Sequence, residues 1–251
     1  MKQGTPRVRM FAGPNGSGKS VLKSYLPKEL LGIYLNADEI EAQARKSKTL
    51  DFKCYEIAAT TKELKEFFLA SELLRECSHC CFPAMLGFDE MVVDFSKVEM
   101  NAYYASVAVA FVRQKLLDQQ RTFTFETVMS HPAKVEFLDK AQKLGYRTYL
   151  YYIATEHPDI NISRVQHRVR LGGHDVPTKK IVERYERSLS HLLEAIKLTN
   201  RAYIFDNSIT NSSGQVPWIA EITDGTRLEL KTTKVPDWFV KSVLNKLPNS
   251  Q

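Results

Sequence analysis

The sequence predicts an α/β fold, a three-layer sandwich with a mainly parallel central sheet, and three observations carry that prediction. Five apolar, β-rich runs alternate with helical stretches: Val8 to Ala12, Ile33 to Ala37, Thr122 to Val128, Tyr146 to Ala154 and Arg201 to Asp206. A glycine-rich octet, Gly13-Pro14-Asn15-Gly16-Ser17-Gly18-Lys19-Ser20, follows the first run directly. Chemistry-bearing residues stand at or just past the ends of the other runs: Asp38-Glu39, Glu126-Thr127, Thr155 and Asp206-Asn207. Strands joined through helices lie parallel with helices on both faces, and ligands bind beyond their C-terminal ends.

The octet fits the pattern G-x-x-x-x-G-K-[ST] at every fixed position, which makes it a P-loop and the fold a P-loop NTPase sandwich. Glycines let consecutive backbone N–H groups close round a phosphate with no Cβ in the way, at the positive end of a helix expected to begin there. Gly13, Pro14, Asn15, Gly16, Ser17, Gly18, Lys19, Ser20 and Val21 are therefore the expected nucleotide contacts. Lys19 supplies a point charge for the β/γ-phosphates, and the Ser20 hydroxyl is placed to ligate Mg²⁺.

After the second run, Asp38 is the candidate general base, a carboxylate able to accept the proton of an attacking hydroxyl. It also precedes an apolar-periodic segment, so a helix N-cap role stands beside the catalytic one. About eighty residues then separate the second and third runs, more than a crossover helix needs, and an insertion or cap is expected over 47–120. Within it, Glu56 to Cys77 and Asn101 to Gln120 carry apolar residues at helical spacing, with Asn101 as a cap. Glu126 closes the third run where it could order Mg²⁺-bound water or hold an acceptor hydroxyl, with Thr127 beside it.

A lid is expected over 158–190. Arg164 and Arg168 share a helix face, as do Arg184 and Arg187, and they bracket Gly172-Gly173-His174 and Val176-Pro177. Such a hairpin could close over phosphates, expel water and neutralise a transferring phosphoryl group. A solvated basic surface paired to Glu183 and Glu186 accounts for the same residues. Asp206 ends a hydrophobic strand and invites the same metal-side reading as Glu126, but with Asn207-Ser208 behind it a turn supporting the adenine side fits at least as well. It is not counted as catalytic. His174 could touch a phosphate, but beside two glycines it reads rather as a loop anchor. The last stretch, 214–247, reads as a β-hairpin (Trp218 to Ile222, Arg227 to Leu230) followed by a short helix from Pro236.

The composition sets outer bounds. A chain of 251 residues with 43% hydrophobic content supports a substantial core, read here as one kinase domain over 1–251. The longest apolar run, Ala105 to Val112, cannot span a bilayer, and no signal-peptide core precedes Gly13, so a cytoplasmic protein without membrane contact is expected. Cys54, Cys77, Cys80 and Cys81 are then expected as reduced thiols, and Cys77-Ser78-His79-Cys80-Cys81 lacks a second ligand pair at zinc-site spacing. A net charge of +6 fits an anionic small ligand and does not by itself identify a nucleic-acid binder.

Taken in order, Gly13 to Ser20, Asn36-Ala37-Asp38, Phe125-Glu126-Thr127, Asn161 to Pro177, Arg184 to Ser188 and Phe205 to Ser208 resemble the zeta-toxin-like P-loop kinases, over about residues 7 to 210 apart from the insertion. The resemblance implies an ATP- and Mg²⁺-dependent kinase that phosphorylates a hydroxyl of a nucleotide-activated sugar such as UDP-N-acetylglucosamine. The family pattern favours acceptor contact for Glu126, with Thr127 beside it, over the metal role that strand position suggests. The resemblance also implies a small antitoxin as a protein partner. Independently of the resemblance, the loop and lid chemistry makes Lys19, Asp38, Arg168 and Arg184 the expected catalytic residues and Arg164 an expected nucleotide contact. A nucleotide or polynucleotide kinase and a non-catalytic nucleotide-binding module are the competing classes; the first would show a salt-sensitive polyanion affinity, and the second would tolerate loss of Asp38 but not of Lys19.

Overall fold

The computed structural model describes residues 4–77, 81–173, 175–209 and 215–247. In chain order the elements are β1 (Arg7–Ala12), a 3-10 helix (Lys19–Tyr25), α1 (Lys28–Leu31), β2 (Ile33–Leu35), α2 (Ala37–Ser47), β3 (Thr49–Asp51), α3 (Thr61–Ala70), α4 (Glu72–Glu76), β4 (Gly87–Asp89), β5 (Val92–Asp94) and α5 (Ala102–Asp118). There follow β6 (Phe123–Thr127), α6 (Ala133–Lys143), β7 (Arg147–Ala154), α7 (Pro158–Arg170), α8 (Thr178–Ser190), α9 (Leu192–Lys197), β8 (Arg201–Asp206), β9 (Trp218–Thr223), β10 (Arg227–Leu230) and α10 (Asp237–Ser242). The chain divides into two compact units, 1–32 with 122–251, and 33–121.

The first unit carries six strands in the order β10-β9-β8-β7-β1-β6. β6, β1, β7 and β8 run parallel, while β9 and β10 add to the edge antiparallel, so the expected C-terminal hairpin extends the main sheet through β8. β1 lies between β6 and β7, and the chain goes to one side of it and then the other. Ligands of open α/β sheets bind at such reversals, and here the P-loop begins at the end of β1. Val8, Met10, Phe125, Leu150, Tyr152 and Ile204 are buried on these strands, and α6 adds Val135, Leu138 and Ala141.

One expected element is different. The segment after the P-loop is a seven-residue 3-10 helix, followed only by the four-residue α1. Pro27 is the cause: it disfavours helical backbone at the preceding residue, and Leu26 is extended at φ −125° and ψ 137°. Among the described residues, therefore, no long helix follows the loop to add a macrodipole at its end.

The second unit holds a three-stranded antiparallel sheet in the order β3-β5-β4, with α2, α3, α4 and α5. Its core includes Leu50, Phe52, Phe68, Val93 and Phe111, with Phe52 edge-on to Phe68 and Phe111. Asn101 caps α5 as expected, accepting from the Tyr103 and Tyr104 amides. The single helix expected over Glu56 to Cys77 is instead two. Thr60 and Glu63 close a capping box at the start of α3, and Ser71 ends it and caps α4. Cys54 and Cys81 are free thiols, but Cys77 is disulfide-bonded, so the expectation of four reduced cysteines is corrected there. Among the described residues no helix is long and apolar enough to cross a membrane.

Candidate functional site

The site grows from the end of β1. The Gly13 amide donates to the Thr127 carbonyl at 3.3 Å, which ties the loop's entrance to the end of β6. Gly16 and Gly18 then take φ of +76° and +95°, and a Cβ on Gly16 would meet the Asn161 backbone oxygen at 2.5 Å. Only glycine suits both demands, left-handed backbone and a neighbouring chain at contact distance. Lys19 Nζ lies back over the loop, donating to the carbonyls of Gly13 at 2.9 Å and Pro14 at 3.0 Å. Pro14 is buried, Asn15 and Val21 are half-buried, and Ser20, the expected Mg²⁺ ligand, is exposed.

Two carboxamides grip this loop from elsewhere in the unit. Asn161, fully buried on α7, donates through Nδ2 to the Asn15 carbonyl at 2.6 Å, and its Oδ1 accepts the Thr155 hydroxyl. Asn207, just past β8, donates through Nδ2 to the Ser17 carbonyl at 2.8 Å. Two buried polar atoms beside them have no hydrogen-bond partner, Ser17 Oγ and Arg164 Nη1. Burial lowers the Arg164 guanidinium pKa, and the Asp206 carboxylate works the other way.

The arginine hairpin exists as α7 and α8, held by its own small core of Val165, Val176 and Ile181. Arg164 and Arg168 are half-buried on α7, while His167 and Arg170 are exposed. Arg184 reaches the Asn15 side chain, Nη1 to Oδ1 at 3.5 Å, whereas Arg187 points to solvent, so the pair expected on one face separates. The Tyr185 hydroxyl donates to the Thr155 carbonyl at 2.6 Å and the Glu156 carbonyl at 3.1 Å, binding α8 to the end of β7. His174 lies outside the described residues, as do Ser78, His79 and Cys80.

Asp206 is tied to the turn that follows it and to α10. Its Oδ1 accepts the Ser208 hydroxyl at 2.6 Å and the Trp238 indole N–H at 3.0 Å. Glu126 is half-buried near the end of β6, opposite Phe11. The Thr127 hydroxyl accepts from the Met129 amide at 3.1 Å. Asp38 belongs to the second unit, exposed in the first turn of α2. The capping role weighed for it falls to Asn36, whose Oδ1 accepts from the Asp38 amide at 2.9 Å and the Glu39 amide at 3.4 Å. The functions of Asn161, Asn207 and Trp238 were not foreseen from sequence.

A mainly parallel sheet with a P-loop past the end of β1, an arginine-bearing helical hairpin and a C-terminal antiparallel pair define an α/β protein of the P-loop kinase-like class. The family model described as Zeta toxin matches residues 82–216, more than half of the chain, and the chain belongs to that family. Glu126, Thr127, Arg164, Arg168, Arg184 and Asn207 fall inside the match, and the P-loop and Asp38 precede it. A search of curated proteins finds no match. Among solved structures, AvrRxo1-ORF1:-ORF2 with ATP is similar at a TM-score of 0.55 and 12% identity, over 90% of this chain and 61% of that one. The native AvrRxo1-ORF1:-ORF2 complex is similar at 0.55 and 12%, over 91% and 62%. The PezAT toxin-antitoxin system of Streptococcus pneumoniae scores 0.48 at 12%, over 86% and 72%. The chain thus spans about three fifths of the AvrRxo1 chains, and at these identities the likeness is one of fold.

Proposed function

We propose that this chain is an ATP- and Mg²⁺-dependent phosphotransferase that acts on a hydroxyl of a small nucleotide-activated sugar of the UDP-N-acetylglucosamine kind. The observation that carries the phosphate part is the pair of orphaned buried atoms, Ser17 Oγ and Arg164 Nη1, in a unit whose loop glycines admit no Cβ. Buried donors without partners cost about 1–3 kcal/mol each, and a bound phosphate would repay both. Zeta-toxin membership and the fold shared with a structure holding ATP support the same reading.

The chain's own residues then take these parts. Lys19 exchanges the Gly13 and Pro14 carbonyls for phosphate oxygens, and Ser20 offers its hydroxyl to the metal. Mg²⁺, when bound, offsets the charge of the phosphates and orients them. Arg168 and Arg184 neutralise charge as it develops on the transferring group, with Arg164 on the nucleotide. Asp38 accepts the acceptor proton, and Glu126 and Thr127 serve the acceptor side. A small antitoxin protein is proposed as a partner, in line with membership of the family.

The test incubates the protein and its Asp38→Asn variant with ATP, Mg²⁺ and a panel of UDP-sugars, nucleosides and short oligonucleotides, and reads products by mass spectrometry. A UDP-sugar that gains one phosphate with the wild type alone supports the proposal. Labelled nucleosides or oligonucleotides would move the acceptor to another class, and ATP binding without any product would leave a nucleotide-binding module.

A further inference from the structure

The two carboxamides that hold the P-loop act on its peptide planes. In a trans peptide the C=O of one residue and the N–H of the next share a plane and point in opposite directions. Asn161 holds the Asn15 carbonyl, so the Gly16 N–H is turned away from Asn161; Asn207 holds the Ser17 carbonyl, so the Gly18 N–H is turned away from Asn207. We propose that Asn161 and Asn207 are positioning residues that fix the 15–16 and 17–18 peptide planes, presenting the Gly16 and Gly18 amides as donors to phosphate. The assignment rests on the nucleotide reading above and adds what sets the geometry of the loop.

Asn207 is itself held in place. Its backbone N–H donates to the Ala154 carbonyl at 2.8 Å, at the end of β7. On one side, Asp206 Oδ1 takes the Trp238 indole N–H of α10. On the other, Ser208 Oγ donates to Asp206 at 2.6 Å and accepts the Glu156 amide at 2.8 Å, while Glu156 Oε1 accepts the Trp238 backbone amide at 3.2 Å. The turn at 206–208 is thus pinned to β7 and to α10, and a Cβ on Gly18 would overlap Asn207 Nδ2. Asn161 is fixed likewise by full burial and by Thr155.

The experiment compares Asn207→Asp and Asn207→Leu with the wild type, measuring ATP affinity by calorimetry from pH 8 down to about pH 4, near the ordinary aspartate pKa, and melting temperature without nucleotide. An ionised aspartate faces the Ser17 carbonyl with no donor, so Asn207→Asp should bind ATP about tenfold more weakly at pH 8. Its deficit relative to wild type should narrow as the pH falls, because a protonated carboxyl again donates, whereas Asn207→Leu should show no such recovery. A role confined to packing would lower the melting temperature of both variants without the pH-dependent recovery. Folded variants that bind ATP as the wild type does would overturn the assignment. If neither variant folds, Asn161→Asp poses the same question at the other plane, and unchanged affinity there overturns it as well. Wild-type protein that binds no ATP at any pH overturns the nucleotide reading and this assignment with it, and is recognised before any variant is compared.

Discussion

Replacing Gly16 by alanine should damage both stability and nucleotide binding, and a second glycine provides the internal standard. Gly16 and Gly145 share left-handed backbone, φ +76° and +82°, but their surroundings differ. A Cβ on Gly145 meets nothing within 4 Å, whereas on Gly16 it would stand 2.5 Å from the Asn161 backbone oxygen and 3.0 Å from its Cα. Gly145→Ala should therefore cost only the left-handed penalty, about 1–2 kcal/mol. Gly16→Ala adds a forced separation of the P-loop from α7 by about an ångström, since ordinary contact begins near 3.4 Å. That separation breaks the 2.6 Å bond from Asn161 Nδ2 to the Asn15 carbonyl, and losing a buried partner adds about 1–3 kcal/mol. The total, about 2–5 kcal/mol, is a large part of the 5–15 kcal/mol typical of a folded domain. Urea denaturation of both variants, with ATP titrations on whatever remains folded, measures the difference. If Gly16→Ala unfolds at the same denaturant concentration as Gly145→Ala and binds ATP unchanged, the close approach of α7 to the loop is not what holds it.

Four further outcomes are expected. Asp38→Asn should leave ATP affinity nearly unchanged and slow phosphoryl transfer by about two to four orders of magnitude, read from single-turnover product formation; unaltered turnover removes Asp38 from the mechanism. Arg168→Ala and Arg184→Ala should lower turnover more than they weaken ATP binding, and a loss confined to binding would mark them as ground-state contacts. Tyr185→Phe keeps the ring but deletes the hydroxyl bonded to the Thr155 and Glu156 carbonyls, so chemical denaturation should show a loss of about 1–2 kcal/mol. The Glu63 carboxyl is held down to about 2 by its bond from Lys115 and by the Thr60 amide and hydroxyl, so its folded pKa lies below its unfolded one. Its stabilising share is then present above about pH 4.5 and lost as the pH falls towards 2, and Glu63→Gln should flatten the acid limb of the stability curve.

What could be read in advance followed from short-range signals. The apolar runs located the main parallel strands to within a few residues, and Asn101 announced the cap of α5 through residues immediately beside it. Pro27 and the Thr60–Glu63 box were equally local signals for a broken helix and for the true start of α3, and the expectation overran both. The small sheet of the second unit gave no such signal. Its strands are three residues each, too short to show a period, and the β4–β5 turn places Glu90 and Met91 at positive φ where asparagine or glycine is the usual marker. The grip on the P-loop was hidden for another reason: Asn161 and Asn207 stand 146 and 190 positions from the carbonyls they hold, so no spacing along the chain connects them.

The chemistry of those two residues suits the proposed role of the loop as a phosphate cradle. A lysine or arginine could donate to the same carbonyls, but its formal charge would draw phosphate to the outer side of the loop. An aspartate or glutamate would repel both the carbonyl and the ligand. A carboxamide donates and accepts without net charge, so it can orient a peptide plane while leaving the local field to Lys19, Arg164 and Arg184. The acceptor half is used too: Asn161 Oδ1 takes the Thr155 hydroxyl, which leaves that buried oxygen satisfied. Because Asn161 sits on α7, between the phosphate loop and the arginines of the hairpin, a displacement of α7 that carries Arg164 also pulls on the peptide plane that aims Gly16. Loop geometry and arginine placement are therefore coupled through one side chain, and Asn161→Asp should weaken ATP binding by more than Arg164→Gln, which removes the charge but keeps most of the stem and a donor.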